Sequence, residues 1–434
     1  MNRRDFLGIL ALGTLLNFES FNDLAFAQVN SSPQGSELFT NKEFSYQALR
    51  ALSKTFSSCA DIKECFLAIK SVKDNDTNSW YEGWKAQGDR IYSLAEEYYS
   101  DGFLVSARES YLRASNYLRT SGFFLGSNPK DSRIFDTYNR SRASFVKAAS
   151  LFDPKIESVE IQYQDTTIPL YFVKASNDNT PRPTIVLVGG FDSNAEELIM
   201  DWGFGIAKRG FNCVAFDGPG QGRALILQGL YFRPDFEKVS KPVINYIVTR
   251  RDVDLKKIAM FGVDLGGYFA PRACAFDGRI ALLVADGGVF DYYSSLISLL
   301  PTVAKNLLET DKAAFNKAMA EALKDNITFR WAIHHGMWAF NATTIADFFL
   351  KTKPYNLKNI ISNINCPALV VNSTNTFFFR GESKKFYDLL ECPREIINMT
   401  ASEGAEEGSQ VGALGYAQGV IFNWIEYHLN KITG

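Results

Sequence analysis

The apolar run Lys257-Ile-Ala-Met-Phe261 leads directly into Gly262-Val-Asp-Leu-Gly-Gly267. A strand that ends in small residues and passes at once into a helix must turn sharply. The central side chain is then lifted clear of the sheet, which is the layout of a nucleophile elbow. Few architectures hold such a turn. It needs a strand buried on both faces, a helix packed behind it and neighbouring strands that end at the same rim. The residue at the tip is Asp264. Its chemistry depends on which partners the fold brings to it.

The rest of the chain supplies that architecture. Val159–Tyr163 and Ile168–Val173 alternate like a hairpin. Short apolar runs follow at 184–188, 213–216, 257–261, 281–285, 368–372 and 395–399, separated by helical stretches. This order predicts an α/β protein with a mostly parallel sheet and helices on both faces. Before it, residues 43–153 place apolar side chains at helical spacing, as in Ser106–Tyr117, and form a helical N-terminal domain. The sheet domain covers 154–434. A stretch at about 292–352, rich in helix formers and aromatics, reads as a helical insertion between two strands.

The N-terminus reads as a targeting segment. Paired arginines at Arg3-Arg4, a short apolar stretch at 8–16 and Ala25-Phe-Ala27 fit a twin-arginine-like signal peptide over 1–27, cut after Ala27. The export machinery that reads such signals carries folded proteins. The expected location is therefore periplasmic, or its lumenal or extracellular equivalent. A membrane anchor is the alternative reading, although the apolar run is short for a span. Residues 28–42 read as a flexible leader.

With 46 basic and 48 acidic residues the net charge is -2. That balance argues against nucleic acid as a partner and leaves a small molecule as the expected one. None of the six cysteines has a zinc-ligand spacing, so no metal is expected. Cys59 and Cys65 could bridge in an oxidising compartment, and buried free thiols are the other reading. Histidine is scarce: His334, His335 and His428 are the only three.

Two further motifs border the elbow. Val188-Gly-Gly-Phe-Asp-Ser193 follows a strand, and its Gly189-Gly190 pair lets backbone amides face a developing oxyanion. The candidate donors lie at Gly190, Phe191 and Leu265. Phe216-Asp-Gly-Pro-Gly-Gln-Gly222 lacks the lysine and hydroxyl of a phosphate loop and reads as a structural turn.

Taken together, Gly189–Glu197, Asp217–Gly222, Phe232–Glu237, Asp264–Tyr268, Ala270–Ala273 and Gly336–Phe340 resemble an α/β-hydrolase family. That family includes 2,6-dihydroxypseudooxynicotine hydrolase and the fungal polyketide-shortening hydrolases of pigment synthesis. The resemblance runs from about residue 75 to 428. It implies an α/β-hydrolase fold, a Ser/Asp/His triad without cofactor, and cleavage of carbon–carbon or ester bonds beside a carbonyl. It also leaves a homodimer open.

The triad positions depart from that pattern while their surroundings match it. Asp264 stands at the nucleophile position. Thr376, or Asn375 if the register slips, stands at the acid position. Gly408 stands at the histidine position. A serine nucleophile without a base is inert, and a carboxylate nucleophile without histidine-activated water stalls as its ester. A carboxylate that only moves protons needs neither partner.

The expectation is an enzyme using Asp264 as acid/base in a cyclisation, isomerisation, dehydration or carbon–carbon bond change. Its substrate would be an apolar aromatic or polyketide-like carbonyl metabolite. A ligand-binding pseudo-hydrolase and an atypical hydrolase with His335 as a displaced base are the alternatives. Asp192, Glu197, Arg233, Tyr268, Trp338 and Phe377 are the expected pocket residues. Glu406 and Glu407 neighbour the altered histidine position and read as surface loop.

Overall fold

A computed structural model describes residues 38–432. The signal-peptide segment and most of the leader lie outside the described residues. The eight strands are β1 (Glu157–Tyr163), β2 (Thr166–Val173), β3 (Arg182–Val188), β4 (Asn212–Phe216), β5 (Val253–Gly262), β6 (Ile280–Asp286), β7 (Ala368–Ser373) and β8 (Arg394–Met399). They form one sheet in the order β1-β2-β4-β3-β5-β6-β7-β8. β1 pairs antiparallel with β2, and β2 with β4. All other pairs are parallel. Each apolar run of the sequence has become a strand.

The central strands are buried on both faces, which explains their unbroken apolar character. Ile258, Met260 and Leu283 pack into one core, with Val243 and Phe269. Ala259, Phe261 and Leu282 pack into the other, with Trp202 and Phe422. The helix Gly266–Phe276 starts just past the end of β5 and carries Pro271 in its interior.

Helices Lys42–Ser53, Ile62–Ser71, Thr77–Ser100, Leu104–Ser121 and Arg133–Ser150 precede the sheet. Their core of Phe44, Trp80, Trp84, Tyr117 and Phe124 also takes in Trp331 of the insertion. The insertion forms helices Tyr292–Ser298, Thr302–Thr310, Lys312–Ala322, Ile327–Ala339 and Ile345–Lys351. N-terminal helices and insertion thus pack on each other above the strand ends.

The first helix begins at Lys42, and the residues just before it are pinned. Thr40 and Asn41 donate backbone amides to Asp74, and the Phe39 ring meets Phe44 and Trp80. The described end of the expected flexible leader is therefore ordered by an aromatic contact and a carboxylate. Cys59 and Cys65 are free, buried thiols.

Candidate active site

β5 runs through Phe261 and Gly262 to Asp264, where φ is +58°. Asp is among the few residues besides Gly that tolerate this left-handed conformation. Behind it, a Cβ on Gly262 would lie 2.0 Å from the Gly266 carbonyl oxygen, and one on Gly266 2.2 Å from the Val188 carbonyl oxygen. The small residues of the motif are needed because backbone meets backbone on both sides of the turn.

The turn after β3 is held from within. Ser193 Oγ accepts from the Gly190 amide at 2.9 Å, and Gln221 Nε2 donates to the Gly189 and Gly190 carbonyls at 2.6 and 3.1 Å. The Gly190 amide is therefore already satisfied. The Phe191 amide donates to Asp264 Oδ2 at 2.7 Å. The Leu265 amide also donates to the Asp264 carboxyl.

This corrects the assignment of Gly190, Phe191 and Leu265 as donors to a substrate carbonyl. Two of these amides hold the carboxyl of Asp264, and the third is closed by Ser193. The reason is reach. A serine Oγ is one bond from Cβ, whereas a carboxyl oxygen is two bonds away and enters the hole itself.

Burial raises the Asp264 carboxyl to about 6, with Asp192 adding to the rise and the two amides and Arg50 opposing it. At neutral pH both protonation states are within reach, the condition for a general acid or base. A second carboxyl lies behind. Asp286 ends β6, one residue past the Ala285 that pairs with Gly262. It is 1% exposed, and Gln410 Nε2 donates to its Oδ1 at 2.9 Å, while Oδ2 has no partner. Burial raises it to about 7, with the Asp264 charge adding.

Asp264 opens onto a cavity of about 300 Å³. Glu43, Tyr46, Arg50, Asp192, Tyr292 and Glu407 give it polar groups, and Leu296, Met319, Phe329, Trp331, Phe348 and Phe377 an apolar wall. Thr376 and Gly408 line it as well. Added atoms at Gly408 would meet only the Tyr46 hydroxyl, at 3.9 Å, so there is open space beside that position.

Asp192 and Glu197 line the cavity, and both are tied into an ion network. Arg50 bonds Asp192 at 2.7 Å and grips both oxygens of Glu197, at 2.9 and 2.6 Å. Lys54 reaches Glu197 at 2.9 Å and Asp201 at 3.2 Å. Arg119 completes the network, 3.2 Å from Asp192 and 3.0 Å from Glu197. Burial pushes the Glu197 carboxyl up, but Arg119, Arg50 and Lys54 outweigh it and hold it well below its usual range. Glu197 therefore stays ionised, and it fastens the N-terminal helices to the turn after β3.

His335 does not face Asp264. Its Nε2 lies 3.2 Å from the Phe191 carbonyl oxygen, and its ring stacks on Trp331 with centroids 5.5 Å apart. Burial pushes its pKa down. It braces the Phe191 peptide instead of serving as a displaced base.

Three expected pocket residues are engaged elsewhere. Arg233 bonds Asp235 at 2.6 Å and the Tyr163 hydroxyl at 2.8 Å. Tyr268 is fully buried and donates to the Pro234 carbonyl at 2.8 Å. Trp338 packs with Tyr81, Leu125 and Ile134. The Asp217 carboxyl accepts from the Ala195 and Arg223 amides, both at 2.7 Å, which makes the 216–222 motif a brace for the neighbouring turn.

Glu43, Tyr46, Arg50, Tyr292 and Asp286 were not singled out by sequence. Only Asp286 carried a signal, a carboxylate closing an apolar strand next to the elbow strand.

Gly190 is the test of the Phe191–Asp264 contact. A Cβ there would lie 2.1 Å from Asp264 Oδ2. Gly190→Ala is expected to push the carboxyl off the Phe191 amide and to lower stability by about 1–3 kcal/mol, read from urea unfolding. An unchanged midpoint would mean that the carboxyl sits elsewhere.

No family model matches the chain. It is 31% identical over 408 residues to hydrolase LUC6 of a Fusarium species, across 90% of this chain and 97% of that one. The match to 20-hydroxy-prefusarin hydrolase FUS2 of Gibberella moniliformis has the same identity and the same coverage. The alpha/beta hydrolase psoB of Aspergillus fumigatus is 32% identical over 419 residues, across 90% and 94% of the two chains. Among solved structures, 2,6-dihydroxy-pseudo-oxynicotine hydrolase superposes with a TM-score of 0.69 at 18% identity, covering 87% of this chain and 95% of that one. At that identity the likeness speaks for the fold.

Proposed function

The chain belongs to the α/β-hydrolase family, as an enzyme of natural-product metabolism, and we propose that it uses Asp264 as acid/base in a reaction that does not consume water. The observation that carries this reading is the 2.7 Å bond from the Phe191 amide to Asp264 Oδ2. The place where an acyl oxyanion would be stabilised is taken by the enzyme's own carboxyl. The same bond fixes that carboxyl, so that it meets a bound molecule in one orientation.

An acid near 6 can give a proton to a carbonyl oxygen or take one from the carbon beside it. Cyclisation, isomerisation, dehydration and carbon–carbon bond changes all proceed through such transfers. Hydrolysis would need an activated water, and the one nearby imidazole is turned to the Phe191 carbonyl. The aromatic wall of the cavity suits an apolar aromatic or polyketide-like carbonyl metabolite. The twin-arginine-like N-terminus adds export to this proposal, to be checked by sequencing the N-terminus of the mature protein.

The test starts from a strain lacking the protein, which should accumulate the precursor. The purified protein should convert that precursor in water enriched in oxygen-18 without incorporating the label. In deuterium oxide the product should gain deuterium at carbon. Oxygen-18 in the product would overturn the reading in favour of hydrolysis. Tight binding without product would favour a pseudo-hydrolase.

A further inference from the structure

Moving a proton from one substrate atom to another is easier with two groups of unlike acidity than with one. Asp264 supplies one. Glu43 lies in the first turn of the Lys42–Ser53 helix and lines the same cavity. Its backbone amide is fixed by the Asn41 side chain at 2.9 Å, and its Oε1 accepts from Gln47 Nε2 at 2.9 Å. Around the same ion network, Asp192, Glu197 and Asp201 are each paired to a cation. Glu43 has no ion pair among the described salt bridges. It is a positioned carboxyl, lining the cavity, whose side chain is hydrogen-bonded by a neutral amide.

We propose that Glu43 is the second proton-transfer group of the reaction, meeting the substrate on the wall made by the Lys42–Ser53 helix. This rests on the reading of Asp264 as acid/base. Arg50, on the same Lys42–Ser53 helix as Glu43, bonds Asp192 at 2.7 Å, and the amide of the neighbouring Phe191 bonds Asp264 at 2.7 Å, so one run of contacts along the cavity wall links the two carboxyls. From its own helix Glu43 faces Gln47, Arg50 and Tyr46. From the turn after β3 it faces Asp192, and from the loop after β8 Glu407, whose Oε1 accepts from Asn375 at 2.8 Å. Burial raises Glu43 to about 7, Asp192 and Glu407 add to the rise, and Gln47 and Arg50 oppose it. Near neutral pH Glu43 can thus hold a proton while Asp264 has lost its own.

Styrene oxide tests the pair without knowledge of the substrate. An Asp264 oxygen attacks an epoxide carbon and the carbon–oxygen bond breaks. The leaving oxygen takes the Glu43 proton, giving a hydroxyalkyl ester on Asp264 and a carboxylate on Glu43. Labelling followed by peptide mass spectrometry should place the ester on Asp264. Its rate should peak between about 6 and 7, rising as Asp264 ionises and falling as Glu43 does. Glu43→Gln should slow labelling at least about tenfold and abolish the fall at high pH, and Glu43→Asp should restore part of both. Far-ultraviolet circular dichroism shows whether the variants fold. An Asp264 ester formed at the same rate and with the same pH profile in Glu43→Gln overturns this inference alone. No ester on Asp264 in the unaltered protein also overturns this inference, because the two carboxyls then do not meet one small molecule, while the parent reading stands or falls on the oxygen-18 and deuterium test.

Discussion

Turnover of the native metabolite is expected to fall by between about 10² and 10⁴-fold in Asp264→Asn, the range that a single proton-transfer group contributes. Asn is close in shape to Asp and also tolerates the left-handed φ of +58° at the elbow. Its side-chain oxygen can still accept from the Phe191 amide. The fold and the affinity for substrate should therefore survive, and the loss should appear in kcat with KM little changed. Asp264→Ser sharpens the test. It restores a hydroxyl attacker and empties the hole of its carboxyl. His335 still bonds the Phe191 carbonyl, and Gly408 still offers no side chain. The variant should neither turn over the metabolite nor hydrolyse p-nitrophenyl acetate above background. Full activity in Asp264→Asn would remove the carboxyl from the chemistry.

Much of this framework was legible in the sequence because it depends on local spacing. Two-faced apolar runs marked the positions of β3 to β7, and the glycines around Asp264 announced the elbow. The position of each strand end followed, and with it the rim on which Asp264, Thr376 and Gly408 meet. What could not be read was where side chains turn once they reach that rim. Arg233, Tyr268 and Trp338 lie in or beside motifs that match the family, yet Asp235, the Pro234 carbonyl and an apolar cluster claim them. Proximity along the chain says nothing about which of several polar neighbours wins. The closure of the hole by Asp264 turns on one extra bond of side-chain length and on a contact across 73 residues. Glu43 and Arg50 sit on a helix with no motif. Only the packing of that helix on the strand ends makes them part of the site.

Asp286→Asn should stabilise the protein, and by an amount that depends on pH. In the fold the Asp286 carboxyl is raised from 3.8 to about 7. Between those values the folded chain holds a proton that the unfolded chain has released. Stability therefore falls as pH rises through this window and levels off above about 7. Asn does not titrate. It keeps an oxygen for Gln410 and places an amide where Oδ2 now lacks a partner. The gain should be small at about pH 4 and grow to roughly 2–4 kcal/mol at about pH 8, measured by urea unfolding across that range. An equal gain at both ends would mean that the carboxyl is not protonated in the fold. Asp264, near 6, has ionised before Asp286 gives up its proton near 7, so Asp264→Asn should bring the Asp286 carboxyl down and narrow the window over which stability falls. The chain keeps a buried carboxyl that weakens its fold at neutral pH directly behind the carboxyl that faces the cavity. Such a cost is tolerated where the electrostatics serve the chemistry, so the stabilised variant should be the poorer catalyst near neutral pH.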